Sequence, residues 1–132
     1  MACVWGLAAG IGFGIAEGVI HAERAYNGLA SADAYLVRFA SCVALHAVWS
    51  ASVGLSIVAV GPSLEDTRDP AAYAVAVLQT LVVPAALHGL YDVLLQYQYH
   101  AAALGVALVS FGWFAWQIET ARTRQVVGLL GC

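Results

Sequence analysis

Four side chains in this 132-residue sequence can do chemistry where little else can: Glu17, His46, His88 and Asp92. Each lies inside a long apolar run, where a charged group costs about 2.5–3.5 kcal/mol on insertion scales and so needs a partner or a purpose. His88 and Asp92 are four residues apart and share one face of a helix. Both can ligate one metal ion, or Asp92 can orient His88 and raise its basicity. The plain structural alternative is a buried His–Asp hydrogen bond that locks a bundle. Pro84, one turn before His88, has no N–H to give the carbonyl of Thr80. His46 is followed by Ser50 and Gly54 at four-residue steps, a small and polar stripe that must point inward. A lone histidine on such a stripe is either an interhelical hydrogen bond or a ligand. Glu17, between Gly14 and Gly18, lies beside a small-residue face or reaches out to the headgroups. Two carboxylates and two imidazoles at one point are hard-to-borderline ligands suited to zinc, or a set for general acid–base hydrolysis.

The elements that must carry these residues follow from composition. The chain is 62% hydrophobic and 10% charged, with a mean hydropathy of +0.82. Soluble domains carry roughly 25% charged residues, so an ordinary cytosolic enzyme and a disordered tail are excluded. A net charge of −3, with five Arg and no Lys, excludes a nucleic-acid partner. Three cysteines, Cys3, Cys42 and Cys132, are too few for a disulfide framework. The composition is that of an integral membrane protein.

A membrane-spanning helix needs about 20 mostly apolar residues, and four runs meet or approach that length. The expected architecture is an all-α bundle of about four transmembrane helices, over about 2–20, 36–60, 71–95 and 101–118. One transmembrane domain over 1–132 then has a headgroup-level loop at His21–Tyr35, a polar loop at 61–70 and a tight hairpin at Gln96–His100. A polar tail follows at 119–132. The first run has no positive residue before Arg24 and is therefore read as a helix, not a cleaved signal. Gly6, Gly10, Gly14 and Gly18 recur every four residues, a spacing that lets another helix backbone approach closely. That face is read as intramolecular packing, with a dimer seam as the alternative.

With the elements placed, the sequence resembles the PrsW family of intramembrane proteases, relatives of the CAAX-prenyl endopeptidases and bacteriocin-processing membrane enzymes. Phe13-Gly14-Ile15-Ala16-Glu17 matches the family's Phe-x-x-x-Glu motif. Ala44-Leu45-His46-Ala47-Val48-Trp49-Ser50, preceded by Arg38-Phe39, is similar to its histidine helix. His88-Gly89-Leu90-Tyr91-Asp92 is similar to its His-x-x-x-Asp/Asn motif. The order is the family's, over about Gly12 to Leu95. The family's earlier Glu-Glu-x-x-Lys motif has no counterpart, since the sequence contains no Lys. A fragment whose upstream helices precede Met1, or a short relative that has lost or outsourced that glutamate, would both fit.

The resemblance implies a membrane endopeptidase, truncated or inactive in the limit, whose substrate is a membrane-embedded or membrane-adjacent peptide. His46 and His88 would bind Zn2+ or position the water, with Glu17 a further ligand or the acid–base group. Asp92 would orient His88 or help stabilise the tetrahedral oxyanion. A lipid bilayer, a bacterial inner membrane, and either a homo-oligomer or partner subunits complete the expected setting. Two further readings stand beside it. One is a non-catalytic membrane subunit of a larger complex that reuses the fold. The other makes His46 and His88 axial ligands of a haem, which Glu17 and Asp92 suit poorly.

Overall fold

The structure is a computed structural model describing residues 1–25, 32–64 and 69–130. It contains α1 (Ala2–Ala25), α2 (Ala32–Leu64), α3 (Pro70–Gln96) and α4 (His100–Leu130), and no strand among the described residues. Each helix holds a stretch long and apolar enough to cross a membrane: Ala2–Ile20, Phe39–Gly61, Pro70–Gln96 and His100–Arg124. Only helices satisfy their own backbone groups in hydrocarbon without a closed barrel. The chain is accordingly an all-α bundle of four transmembrane helices. Large apolar side chains such as Val4, Leu78, Leu104 and Leu108 point outward, as lipid-facing residues must.

The helices outrun the apolar spans that the sequence marks. The expected loop at His21–Tyr35 is shorter, because α1 continues to Ala25 and α2 begins at Ala32; residues 26–31 lie outside those described. The polar segment 61–70 is partly helical, with α2 running to Leu64 and α3 starting at Pro70; residues 65–68 lie outside those described. The tail expected from 119 is helix through Leu130. Hydropathy marks where hydrocarbon ends, whereas helical hydrogen bonding continues past that limit, through segments with Ala, Glu and Arg in α1 and α4 and through Gly61 and Pro62 in α2.

The start of α3 is punctuated. The Asp69 carboxylate accepts a hydrogen bond from the Ala71 N–H at 2.9 Å, and Pro70 occupies the first turn. At the other end the expected hairpin is real and tight. Tyr99 N–H donates to Leu94 O at 2.8 Å and Gln98 N–H to Leu95 O at 3.1 Å. Gln98 takes the left-handed turn position that glycine usually fills, at φ 63°.

α2 is the hub, packing against α1, α3 and α4, while α3 also packs on α4. α1 packs on α2 alone among the described elements. Hydrogen bonds give the directions: Tyr91 in α3 donates to Ser41 in α2, whereas Trp49 and Ser56 in α2 meet Ser110 and Gln117 in α4. Both α2–α4 pairs are 61 residues apart, so these helices run parallel. The core between α2, α3 and α4 is Leu45, Trp49, Tyr91 and Ala103. Pro84 is buried within α3, which continues as one helix through it.

The glycine face of α1 is used inside the chain, against α2, and the dimer-seam alternative is overturned. A Cβ at Gly14 would lie 2.7 Å from the Val43 Cα, and one at Gly18 would lie 2.6 Å from the Phe39 ring. At Gly6 and Gly10 it would run into the carbonyls of Ser50 and His46. Replacing Gly10 with Ala therefore forces the two backbones apart, at a cost of about 1–3 kcal/mol for an overpacked contact. A Cβ at Gly12 meets nothing within 4 Å. Unfolding in mixed detergent micelles is expected to show Gly10→Ala destabilised by that amount and Gly12→Ala at or above the parent.

Candidate functional site

Three helices bring one side chain each to a common point. The Glu17 carboxylate of α1 reaches over the glycine seam to α2, placing Oε2 2.8 Å from His46 Nε2. His88 of α3 faces the same place, its ring edge-to-face with His46 at a centroid separation of 4.7 Å. One potential ligand atom from each of Glu17, His46 and His88 lies within 4.8 Å of the others. A helical rise of about 1.5 Å per residue puts His46 about 10 Å inside the Phe39 end of its span. By the same measure His88 is about 12 Å from the Gln96 end of α3. The two imidazoles thus sit at depth in their spans, while the backbone of Glu17 stands about 4.5 Å inside the Ile20 end of its own.

Its polar atoms are shut off from solvent. Glu17 Oε2, His46 Nε2 and His88 Nε2 are all buried, and neither imidazole Nε2 has a partner in a hydrogen-bonding direction. The 2.8 Å approach of Glu17 to His46 is close enough for an ion pair, yet its angles are not those of a hydrogen bond. His46 Nδ1 lies 2.8 Å from the Cys42 carbonyl, which can only accept. That bond places the hydrogen on Nδ1 and leaves the lone pair on Nε2, the nitrogen 2.8 Å from Glu17 Oε2. Cys42 Sγ is 3.5 Å from the same Nδ1, on the side of the ring away from the convergence.

Asp92 takes a different place from the other three. It stands one helical turn beyond His88, with Oδ2 3.1 Å from His88 Nε2, and its side chain is 53% exposed. The expectation that all four groups meet at one point holds for Glu17, His46 and His88; Asp92 is outside that set. The i,i+4 spacing brings Asp92 to His88, but the helix turns its carboxylate past the convergence and toward the surface.

Aromatic rings wall the group. The Phe13 ring is 5.1 Å from that of His46, and Trp49 stacks on His88 at 4.9 Å and 28°. Trp49, one turn from His46 on α2, was legible in the sequence only as motif context. Its neighbour Ser110 in α4 carried no signal at all, since nothing in the spacing links a serine of one span to a tryptophan of another. The edge-to-face contact of His46 and His88 leaves no slot for a porphyrin between them, which removes the haem reading.

Two buried imidazole nitrogens and a carboxylate oxygen, converging without hydrogen bonds to satisfy the nitrogens, fit a divalent cation. Zinc lies about 2.0–2.1 Å from nitrogen with tetrahedral angles, so two ligand atoms of one ion are about 3.4 Å apart. The present spread of up to 4.8 Å closes with inward side-chain movement of about 1.4 Å at the widest pair.

Comparison with known proteins adds one finding. A family model described as PrsW family intramembrane metalloprotease matches residues 1–117. No curated protein and no solved structure matches the chain.

If the convergence holds a cation, Zn2+ stabilises the folded protein by mass action, about 2.7 kcal/mol at a hundredfold excess over Kd. Thermal unfolding in detergent is expected to shift upward with Zn2+ for the parent. The shift should disappear in His46→Ala and in His88→Ala.

Proposed function

The chain belongs to the PrsW family of intramembrane metalloproteases, and from that premise we propose that Glu17, His46 and His88 hold a zinc ion for peptide-bond hydrolysis within a bacterial inner membrane. The observation that carries this reading is their convergence at depth, with both imidazole Nε2 atoms lacking hydrogen-bond partners. Two imidazoles and one carboxylate are a donor set of catalytic zinc sites, which keep a fourth position open. When bound, the ion supplies Lewis-acid polarisation of the scissile carbonyl and lowers the pKa of water.

The chain's own residues do the rest. His46 is held in one tautomer by the Cys42 carbonyl and forms the floor of the site, its side chain 9% exposed. Glu17 and His88, at 21% and 33%, are more open. They face each other where α1 and α3, both resting on α2, do not pack together. A membrane-spanning or membrane-adjacent peptide entering sideways through that opening meets Glu17 and His88 first. Glu17 is then placed to exchange a proton with the attacking water or the leaving amine as well as to ligate. Asp92, whose Oδ2 lies 3.1 Å from His88 Nε2, helps to hold its ring. Phe13 and Trp49 keep bulk water and lipid off the group, which strengthens every charge interaction inside it.

The test is cleavage of a transmembrane peptide by protein reconstituted in liposomes. Glu17→Gln and His88→Ala should each lose at least about a hundredfold in rate. Asp92→Asn should lose about tenfold, as an outer partner of a ligand does. A strong chelator should abolish cleavage and Zn2+ should restore it. Undiminished cleavage in His88→Ala overturns the assignment. Purification as a stoichiometric, metal-free complex with a partner would replace it with the non-catalytic subunit reading.

A further inference from the structure

α4 contributes no residue to the convergent group, yet it reaches that group through one side chain of α2. The Trp49 indole N–H donates to Ser110 Oγ at 3.0 Å. The Ser110 hydroxyl in turn donates to the Val106 carbonyl at 2.8 Å, so its oxygen is turned toward the indole. Both ends are sealed, Ser110 at 0% and Trp49 at 5% exposure. The indole pinned in this way lies nearly parallel to the His88 ring and meets the His46 ring edge-on at 5.7 Å and 75°.

The two histidines differ in what fixes them. His46 has the Cys42 carbonyl on Nδ1. His88 is held from one side only, by Asp92, whose Oδ2 lies 3.1 Å from its Nε2 and whose side chain is half exposed. The ring torsion of histidine is broad and roughly two-fold, so a His88 held by that carboxylate alone keeps freedom to swing its nitrogens away from Glu17 and His46. A flat wall at stacking distance restricts that torsion.

We propose that Trp49, anchored by Ser110 of α4, is a positioning residue that fixes the ring plane of His88, and through it the direction of the imidazole lone pair. The inference rests on the metal-centre reading for its consequence, though not for its geometry. It makes α4 part of the site without giving it a ligand. Core packing alone would require only bulk at Trp49, and would be indifferent to the hydroxyl 61 positions away.

Ser110→Ala removes the acceptor and little volume; Ser110→Thr keeps the hydroxyl; Trp49→Phe keeps an aromatic ring and drops the N–H. Two measurements on detergent-purified full-length protein decide the matter. In metal-free protein, the His88 ring protons, shifted upfield by the stacked indole, are followed by NMR. Co2+ affinity is followed by absorbance titration. The upfield shift should be lost in Ser110→Ala and kept in Ser110→Thr. Co2+ affinity should fall about tenfold in Ser110→Ala and Trp49→Phe and recover in Ser110→Thr. Unchanged His88 shifts in Ser110→Ala overturn the proposal, as does a lost shift with unchanged Co2+ affinity. A parent protein that binds no Co2+ defeats the metal-centre reading instead, and the NMR comparison still decides whether Ser110 sets the ring.

Discussion

A backbone-to-backbone contact between α1 and α2 sets the distance on which the rest of this protein depends. At Gly10 and Gly14 a single methyl group would strike the opposite helix. Lipid tails are as apolar as leucine, so helices in a bilayer are not driven together by hydrophobicity. They associate through close packing and hydrogen bonds. The glycine face supplies that closeness, and Glu17 gains from it directly. From its place between Gly14 and Gly18, a four-atom side chain spans the seam and brings its carboxylate to 2.8 Å from His46. With ordinary side chains at the seam, the same glutamate would end in lipid.

The polar contacts elsewhere are individually small and serve to fix register. Trp49–Ser110, Ser56–Gln117 and Ser41–Tyr91 tie α2 to α4 and to α3. Hydrogen bonds between transmembrane helices average about 0.6 kcal/mol, so these three together supply about 2 kcal/mol. That is too little to hold four helices together and enough to choose one rotation of each. Rotation is what the site needs. Turning α3 by one residue, about 100°, would carry His88 off α2 and put Gly89 in its place.

What the sequence made legible was whatever lipid forces on a chain. The four spans, the inward stripe His46–Ser50–Gly54 and the glycine face all express the cost of polar groups or bulk in the wrong place. Glu17, His46 and His88 stood out because a charge or imidazole at depth is rare enough to need a reason. The helix ends were not legible, because hydropathy reports solvent whereas helical hydrogen bonding continues past the apolar spans, in α2 even through Gly61 and Pro62. Asp92 shows the limit of spacing: four residues place it beside His88, but its carboxylate lies half exposed and outside the convergence. Ser110 was invisible because its role depends on α2 and α4 running parallel at an offset of 61.

On the metal-centre proposal, Asp92's exclusion from the convergent group makes sense as charge arithmetic. A dication held by Glu17 and two neutral imidazoles would leave one uncompensated positive charge at bilayer depth. Isolated charges there are costly. A second carboxylate brings the total to zero without having to be a ligand, provided it stands close by. Asp92 does so, its Oδ2 3.1 Å from His88 Nε2, and its partial exposure makes its own desolvation cheap. Moving it inward would give a fourth protein ligand and fill the coordination position that hydrolysis requires open. Removing it would leave the cation unbalanced in the membrane. A carboxylate one turn away on the same helix meets both demands.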